Sequence, residues 1–167
     1  PTSVPLPAGM DTTRVATALA MQTAVERAID GADALVMAAA VADFRPAAAA
    51  DRKLKKQPGQ DELVLRLVRN PDILAGIDRQ GLLKVGFAAE TEDPITNAEA
   101  KLRAKGLAMI VANDAVATIG QPDSQATFLF PDRPPEAHPP MAKERLAGVL
   151  ADRLAALLGP AANGGSR

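Results

Sequence analysis

Three continuous apolar runs, each closed by an acidic residue, constrain this chain more than any other feature: ALVMAAAVAD from Ala34 to Asp43, KVGFAAE from Lys84 to Glu90, and LAMIVAND from Leu107 to Asp114. Runs of strand length whose polar residues gather at the ends describe parallel strands covered on both faces. The first of them reads as a central strand. Helical patterns lie between and around these runs. After a short strand over Thr12 to Ala16, Thr17 is the N-cap of a helix to about Ile29, with Leu19, Met21, Val25 and Ile29 among its buried positions and Gly31 as its stop. A second helix runs from about Pro94 to Lys105 and ends at Gly106, and an amphipathic helix from Met141 to Leu158 closes the chain.

The remaining segments are shorter. DELVLRLV, Asp61 to Val68, alternates apolar and charged residues and reads as a half-exposed strand. Asn70-Pro71-Asp72 opens a short helix, with Asn70 as cap, Pro71 at the first helical position and Asp72 favourable to the dipole. Thr127 to Phe130 forms a late strand, Phe44 to Gly59 an irregular functional loop, and residues 159–167 a disordered tail. Strands alternating with helices predict an α/β fold, a Rossmann-like three-layer domain with a mainly parallel central sheet spanning residues 1–158.

Composition narrows the function classes. Nineteen basic and twenty acidic side chains leave a net charge of -1 across 167 residues, which supplies no field for a polyanion, and the four phenylalanines are the only aromatics. Nucleic acid is therefore disfavoured as the main partner. No run reaches the ~20 apolar residues of a membrane span, the start lacks the parts of a signal peptide, and a cytoplasmic address is expected. With 35 alanines the core must be lean, and with zero cysteines thiolate chemistry, disulfides and Cys-based metal sites are excluded. The single histidine, His138, lies in the proline-dense PPEAHPPMA and is expected to be an exposed loop residue.

In parallel α/β sheets ligands bind beyond the carboxyl ends of the strands, which directs attention to Ala42-Asp43, Ala89-Glu90 and Asn113-Asp114. The dense basic cluster, Arg52, Lys53, Lys55 and Lys56, follows the first apolar run. It reads either as a solvated loop or as a mobile arm that closes over phosphates with point charges. Lys101 and Lys105 stand four apart on one helical face, where an anion between them would relieve their repulsion. Neither G-x-G-x-x-G nor G-x-x-x-x-G-K-[ST] occurs, so the nucleotide fingerprint is absent or lies upstream of Pro1. A nicotinamide-dependent oxidoreductase would need that fingerprint and a catalytic Tyr or His, and the chain has no tyrosine.

The pieces TALAM (Thr17 to Met21), AAAVADFRP (Ala38 to Pro46), KLKKQ (Lys53 to Gln57), RNPDILAGI (Arg69 to Ile77), VGFAAET (Val85 to Thr91) and AKLRAKGLAMIVANDA (Ala100 to Ala115) occur in order. In this combination the chain resembles the phosphopantothenoylcysteine synthetases, ligases of coenzyme A biosynthesis that in bacteria usually form the carboxyl-terminal half of a bifunctional flavoprotein. The resemblance implies that CTP activates 4'-phosphopantothenate as an acyl-cytidylate and that L-cysteine then displaces CMP, with Mg2+ offsetting triphosphate charge. It also implies that Ala38, Ala39 and Phe87 line the cytidine pocket, that Asp43 holds the nucleoside or its metal, and that Asn70, Pro71, Asp72 and Ile73 present a helix N-terminus to it. Lys53, as the catalytic residue, would meet the phosphates, as would Lys101 and Lys105. The family's first strand, its glycine-rich turn and an Arg- and Asn-bearing segment do not precede Pro1, so the chain resembles a truncated synthetase that is nearly inactive alone. The flavin-binding decarboxylase half is likewise missing, and no FMN is expected. The resemblance further implies a homodimer, with Arg45 to Gln57 reaching the partner, and a higher oligomer through a fused decarboxylase half. The non-enzymatic alternative is a nucleotide-binding or dimerising regulatory module.

Overall fold

The computed structural model describes residues 8–48, 50, 52–55, 59, 61–90, 93–114 and 123–160, without the side chains of Glu90 and Asp114. In chain order the elements are α1 (Ala18–Ala28), β1 (Ala34–Met37), β2 (Phe44–Pro46), β3 (Leu67–Arg69), α2 (Ile73–Gly76), β4 (Leu83–Glu90), α3 (Pro94–Ala104), β5 (Met109–Asp114), β6 (Asp123–Leu129), β7 (Glu136–Ala142) and α4 (Lys143–Leu158). They divide into two compact units, one of Pro1–Ala28 with Ala40–Asp72, the other of Ile29–Ala39 with Ile73–Arg167. No helix among the described residues is long and apolar enough to cross a membrane.

The second unit is an α/β three-layer fold. Its five-stranded sheet has the order β1-β4-β5-β6-β7, with β1, β4 and β5 parallel and β6 antiparallel to both neighbours, so that four strands point one way. The pleat sorts side chains by parity. Ala88, Ile110, Ala112 and Leu129 turn to the face where α3 inserts Ala98 and Leu102, whereas Val85, Met109, Val111, Ala126 and Phe128 turn to the face covered by Leu146, Val149, Leu150, Leu154 and Leu157 of α4. Two apolar layers on one sheet explain why the runs read as continuous: both faces of β4 and β5 are buried. The helix that follows β4 ends as its sequence predicts. Gly106 adopts φ +57°, its N–H donates to Arg103 O at 3.2 Å, and Leu107 N–H donates to Leu102 O at 3.0 Å, which is the Schellman pattern with its apolar contact between Leu102 and Leu107.

Several expectations are corrected. The first apolar run becomes β1 over only Ala34–Met37, and β1 lies at an edge of the sheet instead of its centre, with Val36 exposed. PPEAHPPMA does form a strand, β7, which Pro139 and Pro140 can enter because it occupies the other edge. His138 is consequently no loop residue: its side chain is 15% exposed, its ring packs on Phe128 with centroids 4.6 Å apart, and its Nε2 lies buried near Glu136. Glu136 accepts a hydrogen bond from Arg153 Nε at 2.6 Å, which ties this edge strand to α4.

In the first unit Thr17 caps α1 as expected, its Oγ1 accepting the Ala20 N–H at 3.1 Å. The helix nevertheless buries none of its residues, and Leu19 is exposed. Thr12–Ala16 is irregular, and among the described residues no strand pairs with it. Of Asp61–Val68 only Leu67 and Val68 join a strand, β3, which pairs antiparallel with β2 in the register Phe44↔Arg69, Arg45↔Val68 and Pro46↔Leu67. Alternation predicts a strand only where a partner edge exists, and β2 offers three residues.

Candidate functional site

The carboxyl edge of the parallel strands is where chemistry was expected, and register assembles part of it. Ala89 pairs with Asn113 and Glu90 with Asp114, so the ends of GFAAE and AND stand side by side in the second unit. On the α4 side of this edge Phe87, 37% exposed, opens a cavity of about 340 Å³ with Val111, Asn113, Ser124, Phe128, Lys143 and Leu146 around it. The parity that buries Val85 among α4 residues also aims Phe87 at this cavity, one pleat further toward the strand end. An aromatic wall with an amide, a hydroxyl and an ammonium suits a small planar polar group. Of this lining, Asn113 was marked only as a strand end, and Ser124 and Lys143 carried no local signal, since their approach depends on β6 and α4 packing on the sheet.

Ala38 and Ala39 are exposed residues just beyond β1 in the same unit. Ile73 begins α2 and is buried, so any ligand contact from it falls to the backbone. Lys101 lies on α3 and Lys105 directly after it, with the Lys105 N–H donating to Lys101 O at 3.0 Å. Both lysines already engage in interactions within the protein.

The first unit holds Asp43, Lys53, Asn70, Pro71 and Asp72. Asp43 is exposed at the corner before β2, and Lys53 is exposed in an irregular stretch, whereas Lys56 lies outside the described residues. Asn70 is not the N-cap of α2, which starts three residues later at Ile73, and Pro71 is not its first residue. Its amide is used elsewhere: Nδ2 donates to Ala42 O at 2.7 Å and Oδ1 accepts from Arg45 Nη1 at 3.1 Å. Two of the expected residues, Asp43 and Asn70, are thereby brought together, and Arg45, expected only as the start of a segment reaching a partner, joins them.

Residues 1–158 match the family described as DNA/pantothenate metabolism flavoprotein C-terminal domain. Among curated relatives, the chain is 41% identical over 140 residues to the coenzyme A biosynthesis bifunctional protein CoaBC of Vibrio parahaemolyticus, covering 79% of this chain and 35% of that protein. It is 38% identical over 165 residues to the protein of that name from Escherichia coli K12, covering 92% of this chain and 39% of that protein. The chain thus spans little more than a third of the relatives it matches. A crystal structure of the C-terminal domain of a CoaBC protein superposes with a TM-score of 0.78 at 30% identity, covering 95% of this chain and 71% of that one. The Streptococcus pneumoniae DNA/pantothenate metabolism flavoprotein, with a TM-score of 0.68 at 18% identity over 86% of this chain and 71% of that one, shares the fold. Matched along nearly its whole length, the chain belongs to the DNA/pantothenate metabolism flavoprotein C-terminal domain family.

Proposed function

We propose that this chain is the ligase portion of a cytoplasmic coenzyme A biosynthetic protein, joining 4'-phosphopantothenate to L-cysteine with CTP. The reading rests on one observation above others: the GFAAE and AND strand ends that carry the family resemblance are register-paired at a carboxyl edge, with Phe87 opening a cavity beside them. A carboxylate oxygen of the pantothenate attacks the α-phosphorus of CTP, and the bond to the β-phosphate oxygen breaks to release pyrophosphate. The cysteine amine then attacks the acyl carbon of the acyl-cytidylate, CMP departs with the electron pair, and the amine proton passes to solvent. The chain's contribution is to hold the anionic partners together and neutralise charge as it shifts.

In this reading Ala38, Ala39 and Phe87 bound the cytosine, Asp43 faces the nucleoside or its metal, and Asn70 to Ile73 contribute backbone groups. Lys53, Lys101 and Lys105 attend the phosphates. Magnesium would offset triphosphate charge and assist the leaving group. Among the described residues no three Asp, Glu or His side chains come together. In the ligase reading the magnesium ion would be carried mainly by phosphate oxygens, with Asp43 as the carboxylate that could meet it.

Isothermal titration with CTP and ATP tests the base assignment. If Phe87 and the Ala38-Ala39 strand end bound a narrow pocket for the base, CTP is expected to bind more tightly than ATP; equal affinity for the two removes the cytidine assignment.

A further inference from the structure

Asn70 grips two successive carbonyls of the first unit. Its backbone N–H donates to Asp43 O at 2.7 Å, and its side-chain Nδ2 donates to Ala42 O at 2.7 Å. The Ala42 carbonyl belongs to the peptide before Asp43, and the Asp43 carbonyl to the peptide after it. Pinning both peptides fixes the two dihedrals between them and hence the direction of the Asp43 Cα–Cβ bond. Little else does so, because Asp43 follows an irregular run and precedes a strand of three residues.

The orientation of the Asn70 amide is itself determined. Arg45 Nη1 donates to Asn70 Oδ1 at 3.1 Å and to Arg69 O at 2.7 Å. A guanidinium can only donate and a carbonyl can only accept, so Oδ1 must face Arg45 and Nδ2 must face Ala42. An aspartate here could accept from Arg45 and could not hold Ala42. The chain of contacts runs from Arg45 through Asn70 to the two peptides around Asp43, all within one compact unit.

We infer that Asn70 and Arg45 are positioning residues for Asp43, holding its carboxylate toward the nucleotide instead of binding the ligand with their own side chains. The inference rests on the ligase reading, in which Asp43 meets the nucleoside or its metal. It assigns the Asn70 side chain a role that a helix cap does not have, and it gives Arg45 a role.

The test is a double-variant cycle read by calorimetric titration with CTP and magnesium, with thermal melts of every variant. Asn70→Ser is expected to weaken CTP binding about tenfold and Arg45→Lys about three- to fivefold, since each loses a directed bond to a peptide or amide group. In an Asp43→Asn background, itself weakened, Asn70→Ser is expected to change affinity less than about twofold, because nothing remains to be positioned. A clasp that merely stabilises the β2–β3 ribbon would lower the thermal midpoint and act equally in both backgrounds. Should Asn70→Ser melt the unit, Asn70→Asp keeps the acceptor for Arg45, drops only the donor to Ala42 and carries the same expectation. Equal effects in the two backgrounds, or CTP binding by Asn70→Ser within twofold of the unmodified protein, overturn the assignment alone. No CTP binding by the unmodified protein overturns the ligase reading and this inference with it.

Discussion

At Gly86 the interior of the sheet admits no side chain. A Cβ there would lie 2.8 Å from Leu107 Cδ1 and 3.2 Å from Leu74 Cδ2, both in the buried cluster beneath α3. Leucine termini can shift, but not far in a packed layer, so Gly86→Ala is expected to destabilise the fold by about 1 to 3 kcal/mol. Urea unfolding checks this, as a lower midpoint with an unchanged slope. Lys53 is the opposite case, an exposed residue in an irregular stretch. In the ligase reading Lys53→Gln lowers the ligation rate at least about tenfold, equivalent to ~1.4 kcal/mol, and leaves the thermal midpoint in place. Wild-type turnover in that variant returns the lysine cluster to a solvated loop, and Lys56→Gln is expected to do less. Legible in the sequence were Asp43 and Asn113, which stand at the ends of their apolar runs, while Phe87, inside its run, came from the family resemblance. Asn70 was not, because Asn-Pro-Asp suits a helix cap and a tertiary clasp equally. The choice between them is made by a guanidinium 25 residues away.

Elements reveal the same division between local and distant causes. The Schellman ending of α3 is written locally, in the glycine after the last basic turn, and Gly106→Ala is expected to lose about 1 kcal/mol by forcing a Cβ into the left-handed region. Differential scanning calorimetry against Gly148→Ala, in mid-helix, separates that strain from a general glycine effect: the second substitution should stabilise slightly. Burial on both faces made β4 and β5 legible, whereas whether β1 is central or at an edge depends on neighbours that periodicity does not encode. For β7 the prolines excluded a central strand correctly, and only the tertiary pairing with β6 reveals the edge strand they permit. Its attachment to α4 concentrates on Glu136, which takes the 2.6 Å bond from Arg153 and has Arg133 and His138 each at 4.0 Å. Glu136→Gln keeps the shape and removes the charge, so the expected loss is about 1 kcal/mol. Salt should narrow the difference between the two proteins, and a difference independent of salt would show that shape alone holds β7 to α4.

On the scale of the whole molecule the first unit is unusual in what it leaves uncovered. Phe44, Leu54, Leu63, Leu65 and Leu67 are each more than half exposed, and Val64 is 88% exposed. Three of them, Phe44, Leu54 and Leu65, line one open pocket of this unit, and apolar side chains brought together at a surface mark association sites. The alternating DELVLRLV pattern has one strand's worth of apolar residues and, over Asp61–Arg66, no strand to pair with among the described residues. A net charge of -1 offers little repulsion between copies. The resemblance puts the homodimer contact at Arg45 to Gln57, and this apolar segment leads us to expect that the interface extends over Asp61 to Leu67, burying on the order of 800 Å² per partner. Placing one carboxylate in the segment is the direct test. Leu65→Asp should raise the dimer dissociation constant at least about tenfold, because burying an unpaired charge in an apolar interface costs more than the ~1.4 kcal/mol such a change represents. Leu65 is exposed in the single chain, so its substitution should leave the thermal midpoint measured at low protein concentration nearly unchanged. Sedimentation velocity across a concentration series reads both proteins. A dimer that survives Leu65→Asp with unaltered affinity moves the interface elsewhere, and an unmodified protein that stays monomeric at all concentrations removes self-association as the reason this face is apolar.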